Sequence, residues 1–176
     1  GRADMLTAVN GNNVFVNFGK TSTTNYNATE LASGTSTNGF IIQGINAPPT
    51  PDLFRQAKVV GDFNGDGLDD MVIGQPIMQI NGATTGGGYL IYGKTSSSTV
   101  FLTDLKVSEG FRINGVSNLD QALTAISGGG DINGDGFADL IVSSPNAIST
   151  TNPGAQAQTT SGVQGTAGGV SYIIYG

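Results

Sequence analysis

The chain has 176 residues, 38% of them hydrophobic, with 13 acidic and 7 basic residues and a formal net charge of −6. That length and hydrophobic content suffice for a globular core, whereas the acidic excess argues against nucleic acid as a partner. The sequence has no Cys and no His, which excludes thiol and imidazole chemistry and zinc bound by the usual soft ligands. No apolar run approaches the roughly 18 residues of a membrane span.

The first predicted elements are two β-strands joined by a tight turn. Met5 to Val9 and Val14 to Phe18 are apolar segments separated by Asn10-Gly11. An Asn-Gly pair between apolar segments is a strong signal for a type I′ hairpin. A further segment, Gly39 to Gly44, has a close copy at Gly110 to Gly115, so we expect these two segments to occupy equivalent places in a repeat.

The first of two acidic nine-residue loops runs from position 62 to position 70. Positions 1, 3, 5 and 9 of the loop carry oxygen-bearing side chains, and a glycine at position 6 permits a sharp turn. This is the array that a Ca²⁺ ion needs for its oxygen ligands. The predicted ligands are the side chains of Asp62, Asn64, Asp66 and Asp70 and the main-chain carbonyl of Leu68.

The second acidic loop, from position 131 to position 139, matches the first at every ligand position. Its predicted ligands are the side chains of Asp131, Asn133, Asp135 and Asp139 and the main-chain carbonyl of Phe137. One such loop could be a turn alone, because Asn, Gly and Asp are common turn residues. Two matching loops favour calcium, since a turn requires neither three crowded carboxylates nor a fixed ninth-position Asp. Six of the 13 acidic residues stand at these positions, where they repel one another unless a cation neutralises them.

Each loop leads into two predicted strands. Met71 to Ile73 and Tyr89 to Gly93 follow the first loop, and Leu140 to Val142 and Tyr172 to Gly176 follow the second. Insertions of different length separate the two strands of each pair, as is usual for tolerated surface loops. Another strand is predicted near Val100 to Leu105. With the strand that enters the loop, one copy therefore has about four strands.

The chain is thus a repeat with a period of about 67 residues. Gly1-Arg-Ala-Asp4 aligns with Gly67-Leu-Asp-Asp70 and Gly136-Phe-Ala-Asp139. This alignment divides the chain into residues 1–66, 67–135 and 136–176. Four strands per repeated unit predict an all-β fold of propeller blades, each made of four antiparallel strands. The aromatic strands are apolar on both faces, as expected for a sheet that is covered by a neighbour on each side.

Gly61-Asp-Phe-Asn-Gly-Asp-Gly-Leu-Asp-Asp-Met-Val-Ile-Gly-Gln-Pro76 resembles an FG-GAP repeat, and Gly130 to Pro145 resembles the bacterial branch of that family. The FG-GAP repeat is the unit of the integrin α-chain β-propeller and of many bacterial secreted or surface proteins. The resemblance implies a seven-bladed propeller with Ca²⁺ held between the first two strands of certain blades. The chain has the length of about 2.6 such blades, and Asp4 would be the ninth-position ligand of a third, partial site.

Other loop families fit less well. An EF-hand requires Glu at position 12, where this chain has Ile73 and Val142, and a dockerin-type loop leads into a helix rather than a β segment. Gly88 to Thr95 matches the phosphate-binding pattern GxxxxGK(S/T). Its four middle residues are strand-forming, whereas a phosphate-binding loop opens onto a helix. Nucleotide binding is therefore not expected.

The leading functional hypothesis is a calcium-binding, non-catalytic extracellular module for adhesion or assembly at a cell surface. One alternative is a carbohydrate-binding propeller, in which exposed aromatic residues such as Tyr26 or Phe54 would contact the glycan. Another is an accessory propeller of a larger secreted enzyme. Asn27 begins a glycosylation sequon, which has meaning only if the source glycosylates secreted proteins.

The ends of the chain predict incomplete blades. Gly1 follows no Met or signal peptide, so we expect a processed chain or a part of a longer protein. Incomplete terminal blades would leave unpaired strand edges and uncovered apolar faces, such as that of Val14 to Phe18. The expected partners are neighbouring blades or chains that complete the propeller, and an unidentified protein or glycan at a cell surface.

Overall fold

The structure, a computed structural model, describes residues 5–9, 13–19, 37–44, 54–147 and 169–176. The regular elements of these residues are β-strands and one short 3₁₀ turn, Leu102–Asp104. The strands are β1 (Met5–Val9), β2 (Asn13–Asn17), β3 (Gly39–Gln43), β4 (Gln56–Gly61), β5 (Asp70–Gln75), β6 (Gln79–Ile80), β7 (Ala83–Thr84), β8 (Gly87–Ile91), β9 (Val100–Phe101), β10 (Gly110–Asn114), β11 (Ala125–Gly130), β12 (Asp139–Ser144) and β13 (Val170–Ile174). The predicted all-β class is confirmed.

The strands form three larger sheets that follow one another along the chain, except that β9 of the first sheet lies between β8 and β10 of the middle sheet in the sequence. The first sheet has the strand order β1-β2-β3-β9, the middle sheet β10-β8-β5-β4 and the third sheet β11-β12-β13. β6 and β7 pair as a separate hairpin. Neighbouring strands are antiparallel, except that β3 and β9 are parallel. Successive antiparallel sheets of this kind are consistent with part of a β-propeller.

The middle and third sheets use the repeat in the same way. In each sheet the acidic loop connects the first two strands, β4 to β5 and β11 to β12. The entering strand has an irregular register at Gly61 or Gly130, and both glycines have positive φ values, 95° and 69°. A bulge of this type bends the strand, here directly before the loop. The first strand of each of these two sheets therefore lies directly before its acidic loop.

The two central strands of the middle sheet, β5 and β8, are buried on both faces. Met71 and Ile73 of β5 belong to a core shared with the first sheet, whereas Val72 between them belongs to a core shared with the third sheet. Ile91 and Leu90 of β8 divide in the same way. Neighbouring side chains of a strand point to opposite faces of its sheet. A strand between two cores therefore needs apolar residues at successive positions, which confirms the sequence-based expectation for the aromatic strand of the middle sheet. The aromatic strand of the third sheet, β13, is largely exposed and departs from that expectation.

The fourth strand of the middle sheet differs from the prediction. It is β10, whose Gly110 lies opposite Ile91 of β8, and not the segment near Val100 to Leu105. Within that segment the strand is β9, and it pairs with β3 of the first sheet. Val100 and Leu102 are buried, as their apolar character indicates, but the sheet that a segment joins depends on tertiary packing.

The uncovered apolar face lies on the third sheet. The prediction of an uncovered face at Val14 to Phe18 is wrong, because Val14 and Val16 are buried in the core shared with the middle sheet and Phe15, which lies between them in the strand, is only 6% exposed. On the third sheet Ile173 is 48% exposed, whereas Leu90, at the same place in the repeat, is fully buried. Two further exposed residues stand where the middle sheet has less exposed ones: Ile132 in place of Phe63, and Tyr175 in place of Tyr92.

Several predicted features lie outside the described residues. They are the Asn10-Gly11 turn, Asp4, Tyr26, Asn27 and most of the insertion before β13. Phe54 is described, and it is partly buried against the core between the first and middle sheets. Its expected role as an exposed aromatic is therefore wrong.

Candidate metal centre

The first acidic loop folds around the carboxylate of Asp62. This carboxylate accepts hydrogen bonds from the main-chain amides of Gly65, Asp66 and Gly67, at 2.7, 3.0 and 2.8 Å. Gly65 and Gly67 have φ values of 77° and 87°, which residues with a side chain rarely adopt. The two glycines thus allow the chain to direct three consecutive amides at one carboxylate.

The second acidic loop repeats this geometry. The Asp131 carboxylate accepts hydrogen bonds from the amides of Gly134, Asp135 and Gly136, at 2.6, 3.0 and 2.9 Å. The two glycines have φ values of 79° and 94°. The same spacing of Asp and Gly therefore produces the same turn in both sheets.

The predicted ligands at positions 3 and 5 are bonded to each other in both loops. Asn64 Nδ2 donates to Asp66 Oδ2 at 3.0 Å, and Asn133 Nδ2 donates to Asp135 Oδ2 at 2.7 Å. The other oxygen of each carboxylate, Oδ1, accepts the amide of loop position 7 at 2.9 Å. These local side-chain bonds fix the backbone of each loop.

Asp70, at position 9, is fully buried and ties the first loop to the end of β8. Its Oδ2 accepts the amides of Phe63 and Asn64 at 2.8 and 3.1 Å, and its Oδ1 accepts the amide of Gly93 at 2.7 Å. Burial raises the pKa of the Asp70 carboxyl above its ordinary value, the three amides lower it, and the nearby charge of Asp66 raises it further. A cation at this carboxylate would favour its charged form.

Asp139 has the same place in the second loop and is also fully buried. It accepts the amides of Ile132 and Gly176 at 2.6 and 3.2 Å. Sequence reasoning missed Gly93 and Gly176 as donors to position 9, although a glycine visibly ends each aromatic strand. A Cβ atom at these glycines would lie 2.5 and 2.6 Å from a main-chain oxygen, so neither position has room for a side chain.

The two acidic loops contact each other. The amide of Ala138 donates a 2.8 Å hydrogen bond to the main-chain carbonyl of Asp62. The ring of Phe137 lies against Gly65, where a Cβ atom would come within 2.3 Å of the ring atom Cε1. The sequence predicted Phe137 only through its carbonyl. The structure adds that its side chain packs on the neighbouring loop, so the two candidate sites are adjacent.

The donor chemistry of both loops suits calcium. Each loop offers three carboxylates, one side-chain amide oxygen and main-chain carbonyls, which are hard oxygen donors. Among the described residues, no three acidic side chains converge as a ready metal-binding group. A carboxylate has about four lone-pair positions. In the bonds given above, Asp62 accepts three hydrogen bonds and Asp66 accepts two, so both retain acceptor capacity for an ion.

The phosphate-loop pattern forms a strand, as the sequence predicted. Gly88 to Ile91 belongs to β8, and the following Lys94 lies over the ring of Phe40, 4.7 Å from its centroid. Lys94 Nζ also donates to the carbonyl of Ser98. Burial lowers the pKa of Lys94, and the charge of Glu109 opposes that shift.

Within the described residues, no helix is long and apolar enough to cross a membrane.

Comparisons with known proteins find similarity in the part of the chain that contains the second loop. The model of the FG-GAP repeat family matches residues 122–173. The chain is 37% identical over 105 residues to integrin alpha-M of Mus musculus, covering 58% of this chain and 8% of that protein. It is 32% identical over 101 residues to integrin alpha-PS2 of Drosophila melanogaster, covering 53% and 7%.

A third relative is phosphatidylinositol-glycan-specific phospholipase D of Rattus norvegicus, 35% identical over 97 residues, with 52% of this chain and 10% of that protein covered. The chain therefore spans a tenth or less of the length of these relatives. The family match contains the whole second loop together with β11 and β12, and the first loop has the same bonding in the middle sheet. The chain therefore carries an FG-GAP repeat at residues 122–173, and it is similar in sequence to integrin α chains over somewhat more than half of its length.

Proposed function

We propose that the chain is a calcium-stabilised, non-catalytic propeller module for adhesion or assembly at a cell surface. The observation that carries this proposal is the pair of adjacent acidic loops, which share one donor set and one hydrogen-bond network. The FG-GAP repeat and the similarity to two integrin α chains support an adhesion-type role.

In each proposed site a Ca²⁺ ion is bound by the side chains at loop positions 1, 3, 5 and 9 and by the main-chain carbonyl at position 7. Six or seven oxygen ligands at about 2.3–2.6 Å are usual for this ion. The carboxylates at positions 1 and 5 are expected to turn partly from the loop amides towards the ion. A third, partial site would use Asp4, which lies outside the described residues.

The proposed role is non-catalytic and extracellular. Absence of Cys and His from the sequence removes the thiol nucleophile and the most frequent acid–base group. The relative named as a phospholipase D shares only a tenth of its length with this chain, which is compatible with an accessory module in an enzyme. Millimolar calcium outside cells suits flexible all-oxygen sites of modest affinity, and the resemblance to surface and secreted proteins supports the same location.

The proposed partner of the third sheet is a further sheet of the same repeat type. Its uncovered residues Ile132, Ile173 and Tyr175 stand at the repeat positions that the third sheet covers on the middle sheet. We therefore expect the isolated chain to self-associate at high concentration. The double variant Ile132→Lys/Tyr175→Lys should associate less in sedimentation experiments. A monomeric chain without added partners, at all concentrations, would count against this part of the proposal.

A carbohydrate-binding role is the second candidate. Exposed aromatic side chains are present at Phe101, Tyr172 and Tyr175, and such rings can stack on a ligand while presenting a polar edge or hydroxyl. A glycan-array screen of the whole chain separates this role from adhesion through protein contacts. A saturable signal that is lost on replacing these aromatic residues would favour the lectin-like role.

Calorimetric titration of the calcium-depleted chain tests the metal proposal. We expect two binding events for Ca²⁺ and much weaker binding of Mg²⁺, because the smaller ion demands a stricter geometry. Asp66→Ala should remove one event and Asp135→Ala the other. The matched control is Asp69→Asn, which removes a charge from the same loop at an exposed position outside the ligand set. No binding in millimolar calcium, or equal effects of all three variants, would refute the proposal.

A further inference from the structure

A groove lies between the edge strand of the middle sheet and the third sheet. It has a volume of about 260 Å³. Its apolar lining includes Ile113 of β10 and Val116, which follows that strand. On the opposite side it includes Val142 of β12 and Tyr172 and Ile174 of β13. β10 is the outermost strand in the order of its sheet, so one edge of its backbone is not paired with another described strand.

The repeat identifies the counterpart of this groove between the first and middle sheets. Ile113, Val142, Tyr172 and Ile174 stand at the repeat positions of Ile42, Ile73, Tyr89 and Ile91. Those four counterparts are buried in one core together with Val100 and Leu102. Between the first two sheets, the place of the groove is therefore filled by the segment that contains β9.

The segment that contains β9 is held by strand pairing with β3 and by burial of its apolar side chains. Val100 lies opposite Ile42 in the parallel pairing of β9 with β3, and it is fully buried. Tyr89, which packs in that core, is 3% exposed, whereas its counterpart Tyr172 in the groove is 41% exposed. Ile113 is likewise only partly buried, while its counterpart Ile42 is fully buried. The groove is thus lined by the same kinds of residues as its filled counterpart between the first and middle sheets, but its apolar side chains are more exposed to solvent.

We propose that this groove binds a short segment of the type Val100-Phe101-Leu102, in which two extended residues lead into a turn and the first and third residues are apolar. The segment pairs in parallel with the free edge of β10 at Ile113 and Asn114, and its two apolar side chains fill the groove. Main-chain bonds to a sheet edge supply affinity, and alternate side chains in pockets supply specificity. The occupant is a segment of another repeat of this type, independent of calcium in the acidic loops.

A synthetic peptide taken from the chain itself tests this inference. The probe is Ser-Thr-Val-Phe-Leu-Thr-Asp, residues 98 to 104, labelled with a fluorophore and titrated with the whole 176-residue chain. We expect saturable binding, with amide NMR shifts at Ile113, Asn114 and Tyr172. A peptide carrying Val100→Asp and Leu102→Asp should bind at least tenfold more weakly, because a carboxylate in an apolar pocket loses its hydration.

Two valine variants provide a matched pair. Val116 lines the groove and is 78% exposed, and Val107 lies outside the groove and is 92% exposed. Neither side chain is in the core, so both variants should fold. Val116→Asp should weaken peptide binding about tenfold, and Val107→Asp should leave it unchanged. The inference is overturned if the native peptide does not bind, if the two peptides bind equally, or if the two variants behave alike.

Discussion

The amide of Ala138 and the main-chain carbonyl of Asp62 are joined by a 2.8 Å hydrogen bond. This bond connects the eighth residue of one acidic loop to the first residue of the other. Since the ring of Phe137 also lies on Gly65, both main chain and side chain link the two candidate sites. The loops are therefore one packed unit at adjacent corners of two sheets.

The contact between the loops predicts unequal effects of the same substitution. Gly65 and Gly134 hold the same loop position and have similar positive φ values, but a Cβ atom would meet Phe137 only at Gly65. Gly→Ala at either site should cost about 1 kcal/mol of backbone strain. Gly65→Ala should cost about 1–2 kcal/mol more through overpacking. Urea unfolding of both variants measures the difference.

Phe137→Ala supplies the control for that experiment. In this background the Gly65→Ala cost should fall to that of Gly134→Ala, because the colliding ring has been removed. The double-mutant cycle isolates the interaction between the two residues. Equal costs of the two glycine substitutions in the native background would show that the ring does not pack on the neighbouring loop.

Removal of the buried carboxylate at position 9 should be the most damaging change in the first loop. Asp70→Ala leaves the amides of Phe63, Asn64 and Gly93 without their acceptor. Unsatisfied buried groups are costly, so we expect a loss of about 3 kcal/mol in unfolding free energy, measured with chelator present. Asp69→Ala, at the exposed neighbouring position, should change stability by no more than about 0.5 kcal/mol. Similar stabilities of the two variants would contradict the proposed role of Asp70.

Chelation of calcium should lower the melting temperature. An ion that binds only the folded chain adds RT ln(1 + [L]/Kd), about 2.7 kcal/mol per site at a hundredfold excess over Kd. Asp66→Ala and Asp135→Ala should each remove part of the difference between the melting curves recorded with calcium and with chelator. The double variant should show no difference. Identical curves for the native chain under the two conditions would rule out calcium stabilisation.

Lys94 gives the chain a predicted pH dependence. Burial lowers its pKa in the folded chain, so between that lowered value and the unfolded value near 10.4 the unfolded chain binds more protons. The free energy of unfolding therefore rises with pH in this window. Below the window, the destabilisation caused by burying the charged Lys94 side chain is fully present. Titration of the ¹³Cε resonance should give a midpoint below that of the urea-unfolded chain. Lys94→Met should remove the corresponding slope in unfolding free energy, and an unchanged slope would contradict the assignment.

The regular features of the fold could be predicted from local sequence. Met71 to Ile73 and Leu140 to Val142 follow acidic loops and are strands, because β-branched and apolar residues between turns favour extended backbone. The assignment of Val100 to the middle sheet failed, since burial and extension do not specify a pairing partner. Its parallel partner Ile42 lies about 58 residues away in the sequence, and no local pattern reports that distance.

The candidate ligands were likewise predictable, but their surroundings were not. The spacing of Asp62, Asp66 and Asp70 predicted a tight acidic loop, which the structure has, and calcium binding by these residues stays a prediction. The bond from Gly93 to Asp70 spans 23 residues, and the bond from Ala138 to Asp62 joins separate repeats. Both depend on how the sheets stack, which is a property of the folded chain.

The parallel pairing of β9 with β3 affects the order of folding during synthesis. β3 ends at Gln43, but the strand that completes its sheet ends at Phe101, after three strands of the middle sheet have been made. The apolar side chains of Phe40 and Ile42 therefore remain without their full cover while that stretch emerges from the ribosome. Domains that fold as units during translation must wait for all of their parts. The first sheet is thus expected to become protected from proteases only after Phe101 is available, and together with the middle sheet once β10 has also been made, rather than before it.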